Sequence, residues 1–217
     1  MHAKLKAIVF DYGQVLSYPE DPGRYDKMAA ISGVDRRQMC RMYHALRPAY
    51  DRGEFKGTEY WRRIAALVGR TLSDAQVNQL IQEDTRNTTE LNPQILSWVA
   101  RLVETGFTAA ILSNMTHDDM GRIAQHRIRE SLGYFTVQLF SSEIGLVKPE
   151  EAIYRRCLAA LGVSPRQVLF LDDKRENVAA ARKVGMHAVR FRSFAASVPM
   201  LICRFGLPQQ PDGVGTE

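Results

Sequence analysis

The sequence predicts an α/β protein: an open parallel sheet, interrupted after its first strand by an all-helical insertion. Three observations predict it. Short apolar runs recur at 5–11, 107–113, 168–172 and 187–191, with a weaker one at 136–140. Segments with helical periodicity separate them, which implies βαβ units and strands buried on both faces. The stretch 17–90 has no convincing strand pattern but has repeated helical spacing.

The first run, "KAIVFDYGQVL", ends on Asp11 and turns at Gly13. Within 17–90, helical spacing appears around 28–31, 38–46, 60–68 and 75–81, punctuated by Gly53, Gly57 and Gly69. Ser73 with Gln76 forms a capping box. The helix over 93–104 starts with Pro93 at its first position and stops at Gly106. Pro149 is expected to open a helix running to about Leu161, closed by Gly162. Ser164 and Gln167 form another capping box just before the strand "VLFLD", and a helix over 176–184 ends at Gly185. The expected organisation is a core of 1–16 plus 91–208, a helical cap over 17–90 and a loose tail over 209–217.

Composition narrows the class. Hydrophobic residues are 45% and charged residues 24% of the 217, ordinary for a soluble globular protein. No apolar run approaches the ~18 residues a membrane span needs, and no signal-peptide pattern precedes the first strand. We therefore expect a cytoplasmic protein with no membrane partner. The net charge of +5 is spread over arginine pairs such as Arg36-Arg37, Arg62-Arg63 and Arg155-Arg156, which suit solvated helix faces rather than a nucleic-acid surface. That charge would steer an anionic substrate. Cys40, Cys157 and Cys203 match no metal-ligand spacing or disulfide framework, and buried reduced thiols are expected.

Polar groups fall where such a sheet places its ligands, beyond the carboxyl ends of the strands. Asp11 ends the first strand, Ser113-Asn114 the second and Asp172-Asp173 the run "VLFLDD", while Lys148 precedes the Pro149 helix. Carboxylates from two strand ends suit Mg²⁺, a hard cation that prefers oxygen. A hydroxyl, backbone amides and a lysine suit phosphate oxygens. One carboxylate facing phosphorus could attack it.

In order and spacing, "IVFDYGQVL", "AILSNMT", "GLVKPEEAIY" and "VLFLDDKRENVAAARKVGMHAV" resemble the four motifs of the haloacid dehalogenase-like (HAD) superfamily. The resemblance covers about 5–16 and 92–192, and the insertion is similar to the type-1 cap of subfamily IA, with "YDRGEFKGTEYWRRI" part of it. It implies a Rossmann-like parallel core and a Mg²⁺-dependent phosphatase acting through an aspartyl-phosphate on a small phosphorylated metabolite. By the same resemblance Asp11 would be nucleophile and metal ligand, and Gly13 would offer its carbonyl to the metal. Ser113 and the Asn114 amide would bind the phosphoryl group. Lys148 would neutralise that group and orient Asp11. Asp172 would ligate the metal, with Asp173 in support.

One position departs from the pattern. Family phosphatases carry a second Asp two residues after the nucleophile, where it protonates the leaving group; here Gly13 stands. Losing a general acid removes about 10²–10⁴ in rate. Dehalogenases of the family carry Tyr at that spacing, whereas Tyr12 lies one residue too early. "DYGQV" fits better the Asp-x-Gly-x-Val start that resembles bacterial sugar-phosphate phosphatases. The proton would then come from the substrate, a water, or another residue such as His117 or a cap carboxylate, although His117 reads first as a solvated helix-start residue. Gly13 would be explained structurally if the turn demanded a positive φ. Two other readings stand beside the phosphatase: a catalytically weak protein that binds a phosphorylated ligand or a protein partner, and a hydrolytic dehalogenase.

Overall fold

The structure is a computed structural model, and it describes residues 4–209. Five parallel strands form one sheet in the order β3-β2-β1-β4-β5. They are β1 (Ala7–Phe10), β2 (Thr108–Ser113), β3 (Phe135–Phe140), β4 (Val168–Asp172) and β5 (His187–Arg190). The helices are α1 (Arg24–Ser32), α2 (Arg36–Asp51), α3 (Gly57–Leu67), α4 (Asp74–Asp84), α5 (Pro93–Glu104), α6 (His117–Gln125), α7 (Ile128–Ser131), α8 (Ser141–Ile144), α9 (Glu151–Leu161), α10 (Arg175–Lys183) and α11 (Phe194–Phe205).

Every residue of β1 and β4 is buried, as expected of strands covered on both sides. Alternation along β1 divides the core. Ile8 and Phe10 face a layer holding Ile95, Trp98 and Leu201 of α5 and α11. Ala7 and Val9 face a layer holding Ile153 and Tyr154 of α9 and Val178 and Ala181 of α10. The register pairs Phe10 with Ile111 on one side and with Leu171 on the other, so Asp11, Ser113 and Asp172 emerge at one edge of the sheet.

Helices α1–α4 have their own apolar cluster, built on Met39, Tyr43, Tyr60, Trp61 and Leu80. The chain crosses to and from them side by side. Asn92 N–H donates to Leu16 C=O (2.8 Å) and Tyr18 N–H to Glu90 C=O (2.9 Å). Gln76 returns the Ser73 cap, as the sequence spacing implies.

Three expectations need correction. Pro149 does not open α9: the Lys148–Pro149 peptide is cis, and α9 begins at Glu151 with Glu150 as its N-cap. Of the thiols, Cys157 is buried but Cys203 is exposed and Cys40 half-buried; all three are free. Helix α2 runs past Leu46 and through Pro48 to Asp51, because packing anchors its last turn: Tyr50 stacks on Tyr60 with ring centroids 4.3 Å apart. The expected tail over 209–217 lies, but for Gln209, outside the described residues. No described helix is long and apolar enough to cross a membrane.

Candidate active site

Asp11 follows β1 directly and is 6% exposed. Its Oδ1 accepts hydrogen bonds from Tyr12 N–H (2.7 Å) and Ser113 Oγ (2.6 Å) and forms an ion pair with Lys148 Nζ (2.8 Å). Among the described residues no group donates to Oδ2. The carboxylate is thus gripped by one oxygen and presents the other.

Lys148 is buried between two acids, with Nζ also 2.7 Å from Asp172 Oδ2. Burial pulls its pKa down, but Asp11 and Asp172 outweigh that and leave it raised. The ammonium is therefore charged at neutral pH. Its backbone is fixed by a reciprocal pair: Asn114 Nδ2 donates to Lys148 C=O (3.0 Å) and Lys148 N–H donates to Asn114 Oδ1 (2.8 Å). Asn114 thereby joins the loops after β2 and before α9.

The adjacent acids Asp172 and Asp173 differ. Asp172 is fully buried and both its oxygens are engaged: Oδ1 by Lys174 N–H (2.8 Å), Oδ2 by Lys148, and each by Asn177 Nδ2 (3.0 Å). Asp173 is half-buried and accepts one side-chain bond, to Oδ2 from Gln14 Nε2 (3.0 Å). Burial, then repulsion from Asp11 and Asp172, pushes Asp173 up to about 7. Burial also raises Asp172 above the ordinary carboxylate range. Asp11, Asp172 and Asp173 each offer an oxygen within 4.8 Å of the others. An all-oxygen set with one nearby ammonium and a surplus of negative charge fits a hard divalent cation.

The structure thus brings Asp11, Ser113, Asn114, Lys148, Asp172 and Asp173 to one edge. It also overturns the steric account of Gly13. Its φ is −62°, and a Cβ there would have nothing within 4 Å. The positive φ of the turn belongs to Gln14, at 60°. Neither backbone strain nor crowding demands a glycine two residues after Asp11. His117 sits exposed at the first position of α6, as the sequence reading had it.

The insertion supplies residues that sequence reasoning missed. A cavity lined by Asp11, Gly13, Ser113 and Lys148 is also lined by Arg24, Tyr43, Arg47 and Asp51 from α1 and α2. Arg24 pairs with Glu20 and with Asp84 (2.7 Å). Arg47 meets Asp51 (2.7 Å), Asp84 (3.1 Å) and Asp119 (3.7 Å). A signal was present in the sequence: Tyr43, Arg47 and Asp51 stand four apart, so a basic and an acidic residue share the face of a buried tyrosine.

The structure is a five-stranded parallel α/β core with an aspartate at the end of its central strand and an acid–lysine cluster around it. Comparison with known proteins agrees. Residues 2–185 match the model of the haloacid dehalogenase-like hydrolases, and the chain belongs to that family. It is 33% identical over 110 residues to the bifunctional epoxide hydrolase 2 of Rattus norvegicus, covering 50% of this chain and 20% of that protein. It is 30% identical over 135 residues to the phosphoglycolate phosphatase of Mannheimia succiniciproducens, covering 56% of each. The chain thus spans well under two thirds of these relatives' lengths. Among solved structures, a HAD family enzyme of Bacteroides thetaiotaomicron superposes with a TM-score of 0.75 at 19% identity, over 92% of this chain and 99% of that one. That enzyme has also been crystallised with magnesium and inorganic phosphate.

Proposed function

We propose that the protein is a Mg²⁺-dependent phosphatase for a small phosphorylated metabolite with a neutral, polyhydroxylated leaving group, of which a sugar phosphate is the leading case. The observation that carries this reading is Asp11: one oxygen held by two hydrogen bonds and an ion pair, the other unbonded among the described residues, with a hydroxyl and a charged ammonium beside it. A dianionic phosphoryl group placed against Ser113 Oγ and Lys148 Nζ would sit within reach of Asp11 Oδ2. Attack by Asp11 on phosphorus forms an aspartyl-phosphate and releases the alcohol; water then cleaves the acyl phosphate.

Asp11, Asp173 and the Gly13 carbonyl are the groups we assign to the metal. Asp172 belongs to the same cluster, but with both oxygens engaged it serves first as the anchor of Lys148. Bound there, Mg²⁺ would supply charge neutralisation between two anions.

The cap side of the cavity supports the leaving-group class. Lys174 lines the cavity from the core side, whereas a second anionic group on the insertion side would need a free cation there. The arginines there are already paired, two guanidiniums against the carboxylates of Glu20, Asp51, Asp84 and Asp119. Hydroxyl groups, which donate and accept, suit such a lining. Phosphate release should be measured across sugar phosphates, phosphoglycolate and phosphoserine, with Mg²⁺ and with a chelator. We expect Mg²⁺-dependent turnover, a kcat/KM at least about tenfold higher for a sugar phosphate than for phosphoglycolate, and a loss of at least about 10³-fold in Asp11→Asn. No phosphate release, with a phosphorylated ligand still raising Tm, would turn the protein into a binder. Halide release from 2-halo acids would make it a dehalogenase.

A further inference from the structure

We propose that Asp51, at the end of α2 in the helical insertion, is the general acid and base of this site, doing the work of the carboxyl group absent at Gly13. The proposal rests on the phosphatase reading above.

The position is fixed from the core. Ser141 Oγ accepts from Met115 N–H (2.9 Å), in the loop that carries Ser113 and Asn114, and donates to the backbone carbonyl of Asp51 (2.6 Å). Two hydrogen bonds thus tie the Asp51 backbone to the loop that would hold the phosphoryl group. Asp51 lines the same cavity as Asp11, Gly13, Ser113 and Lys148. Residue 51 is 6% exposed. Oδ1 accepts from Arg47 Nε (2.7 Å); among the described residues no group donates to Oδ2.

Of the other candidates around the cavity, Glu20 is half-exposed to solvent and paired with Arg24, and the rest are committed elsewhere. Asp84 accepts from Arg24, Tyr43 and Arg47. Asp119 takes the Thr116 hydroxyl and amide on one oxygen and Thr88 on the other. The Tyr12 hydroxyl donates to Thr88 C=O. His44 is exposed and bonded to the Tyr25 hydroxyl; burial of the ring, then Lys174, lowers its pKa, so it is a poor proton store at neutral pH.

Asp51 shifts in the direction that favours its proton. Burial raises its pKa, against Arg47 on its own helix and Lys174 ahead of α10, and Asp84 of α4 adds to the rise. The geometry gives the reason: Arg47 is shared among Asp51, Asp84 and Asp119. With Arg24 serving Glu20 and Asp84 as well, two guanidiniums stand over four carboxylates, a surplus of negative charge that a proton relieves. In the first step the Asp51 proton passes to the ester oxygen as the phosphorus–oxygen bond breaks and the Asp11–phosphorus bond forms. In the second, the Asp51 carboxylate takes a proton from the water that attacks phosphorus. Phosphate leaves with the water oxygen, and both aspartates return to their starting states.

The test compares p-nitrophenyl phosphate, whose leaving group needs no proton, with a primary alkyl or sugar phosphate. Wild type should hydrolyse the two with kcat/KM values within about 30-fold of each other. Asp51→Asn should lose about 10²–10³-fold on the alkyl ester and less than about tenfold on the aryl ester, with an unchanged melting curve. Adding Gly13→Asp to Asp51→Asn should restore at least about tenfold on the alkyl ester, since residue 13 has the backbone angles and the room for it. Equal losses of Asp51→Asn on both esters, or none on either, would overturn the proposal while leaving the phosphatase reading intact. If Asp51→Asn does not fold, wild type decides alone: an aryl preference above about 10³-fold would mean that no residue supplies the proton. A wild type that hydrolyses neither ester overturns both readings.

Discussion

The two walls of the cavity both carry more acid than base but hold it in different ways. At the sheet edge, Asp11, Asp172 and Asp173 face one buried ammonium, and among the described residues no group donates to Asp11 Oδ2. On the side of the helical insertion, Arg24 and Arg47 are paired with four carboxylates, and most of those oxygens are already taken. The first wall is electrostatically incomplete and suited to receive a cation and a phosphoryl group. The second carries an acidic excess of its own, but its oxygens are mostly bonded. Asp51 keeps one without a donor among the described residues, and it is where we place the missing proton.

Removing a guanidinium from the second wall should have the largest effect on stability. Arg47→Met leaves Asp51, Asp84 and Asp119 without their shared guanidinium. Breaking a buried pair costs about 3–5 kcal/mol; because 21% of the Arg47 side chain is exposed, we expect a loss of on the order of 3 kcal/mol. Urea unfolding checks this. A loss under about 0.5 kcal/mol, the scale of ordinary surface substitutions, would mean that the network on this wall is ornamental.

The incomplete wall should show itself in pH dependence. Asp173 is raised to about 7 and Asp172 is raised too. Between an ordinary carboxylate value near pH 4 and about pH 7, the folded state holds protons that the unfolded chain has released. Their contribution therefore lowers stability as pH rises through that window. In chelator, Tm should fall from pH 5 to pH 8 by more in wild type than in Asp173→Asn. Mg²⁺ should flatten the wild-type slope, because binding to the native state offsets the repulsion. Identical slopes in both proteins would remove Asp173 from the charge surplus.

The smallest effects come from two glycines. Gly53, at the junction of the walls, has φ +81°, and a Cβ there would lie 2.7 Å from His117 Nε2 and 3.0 Å from Ser142 O. Gly53→Ala should cost about 1–2 kcal/mol. Gly13→Ala, in open space with φ −62°, should stay within about 0.5 kcal/mol of wild type. Equal Tm changes for the two would contradict the backbone account of both.

How far the sequence reached follows the range of the forces involved. Helix α5 at Pro93–Glu104, strand β4 at Val168–Asp172 and the Ser73 cap were legible to the residue, because proline at a first turn, an apolar run and a capping box are local signals. The groups at the sheet edge were legible as well, since a parallel strand delivers whatever follows its last apolar residue to one edge. The start of α9 was misread because a proline at a helix start and one in a preceding turn look the same in sequence.

Local chemistry therefore determined the sheet, the insertion and the set Asp11, Ser113, Asn114, Lys148, Asp172 and Asp173. Tertiary structure alone decided three things. It gave Asp172 to Lys148 and left Asp173 with oxygen to spare. It moved the positive φ from Gly13 to Gln14. It carried α2 through Pro48 so that Asp51 reaches the cavity, fastened through Ser141 to the loop after β2. Each joins residues that lie tens of positions apart or depends on which neighbour packs against a turn, and no spacing along the chain encodes the distance between Asp51 and a loop more than 60 residues away.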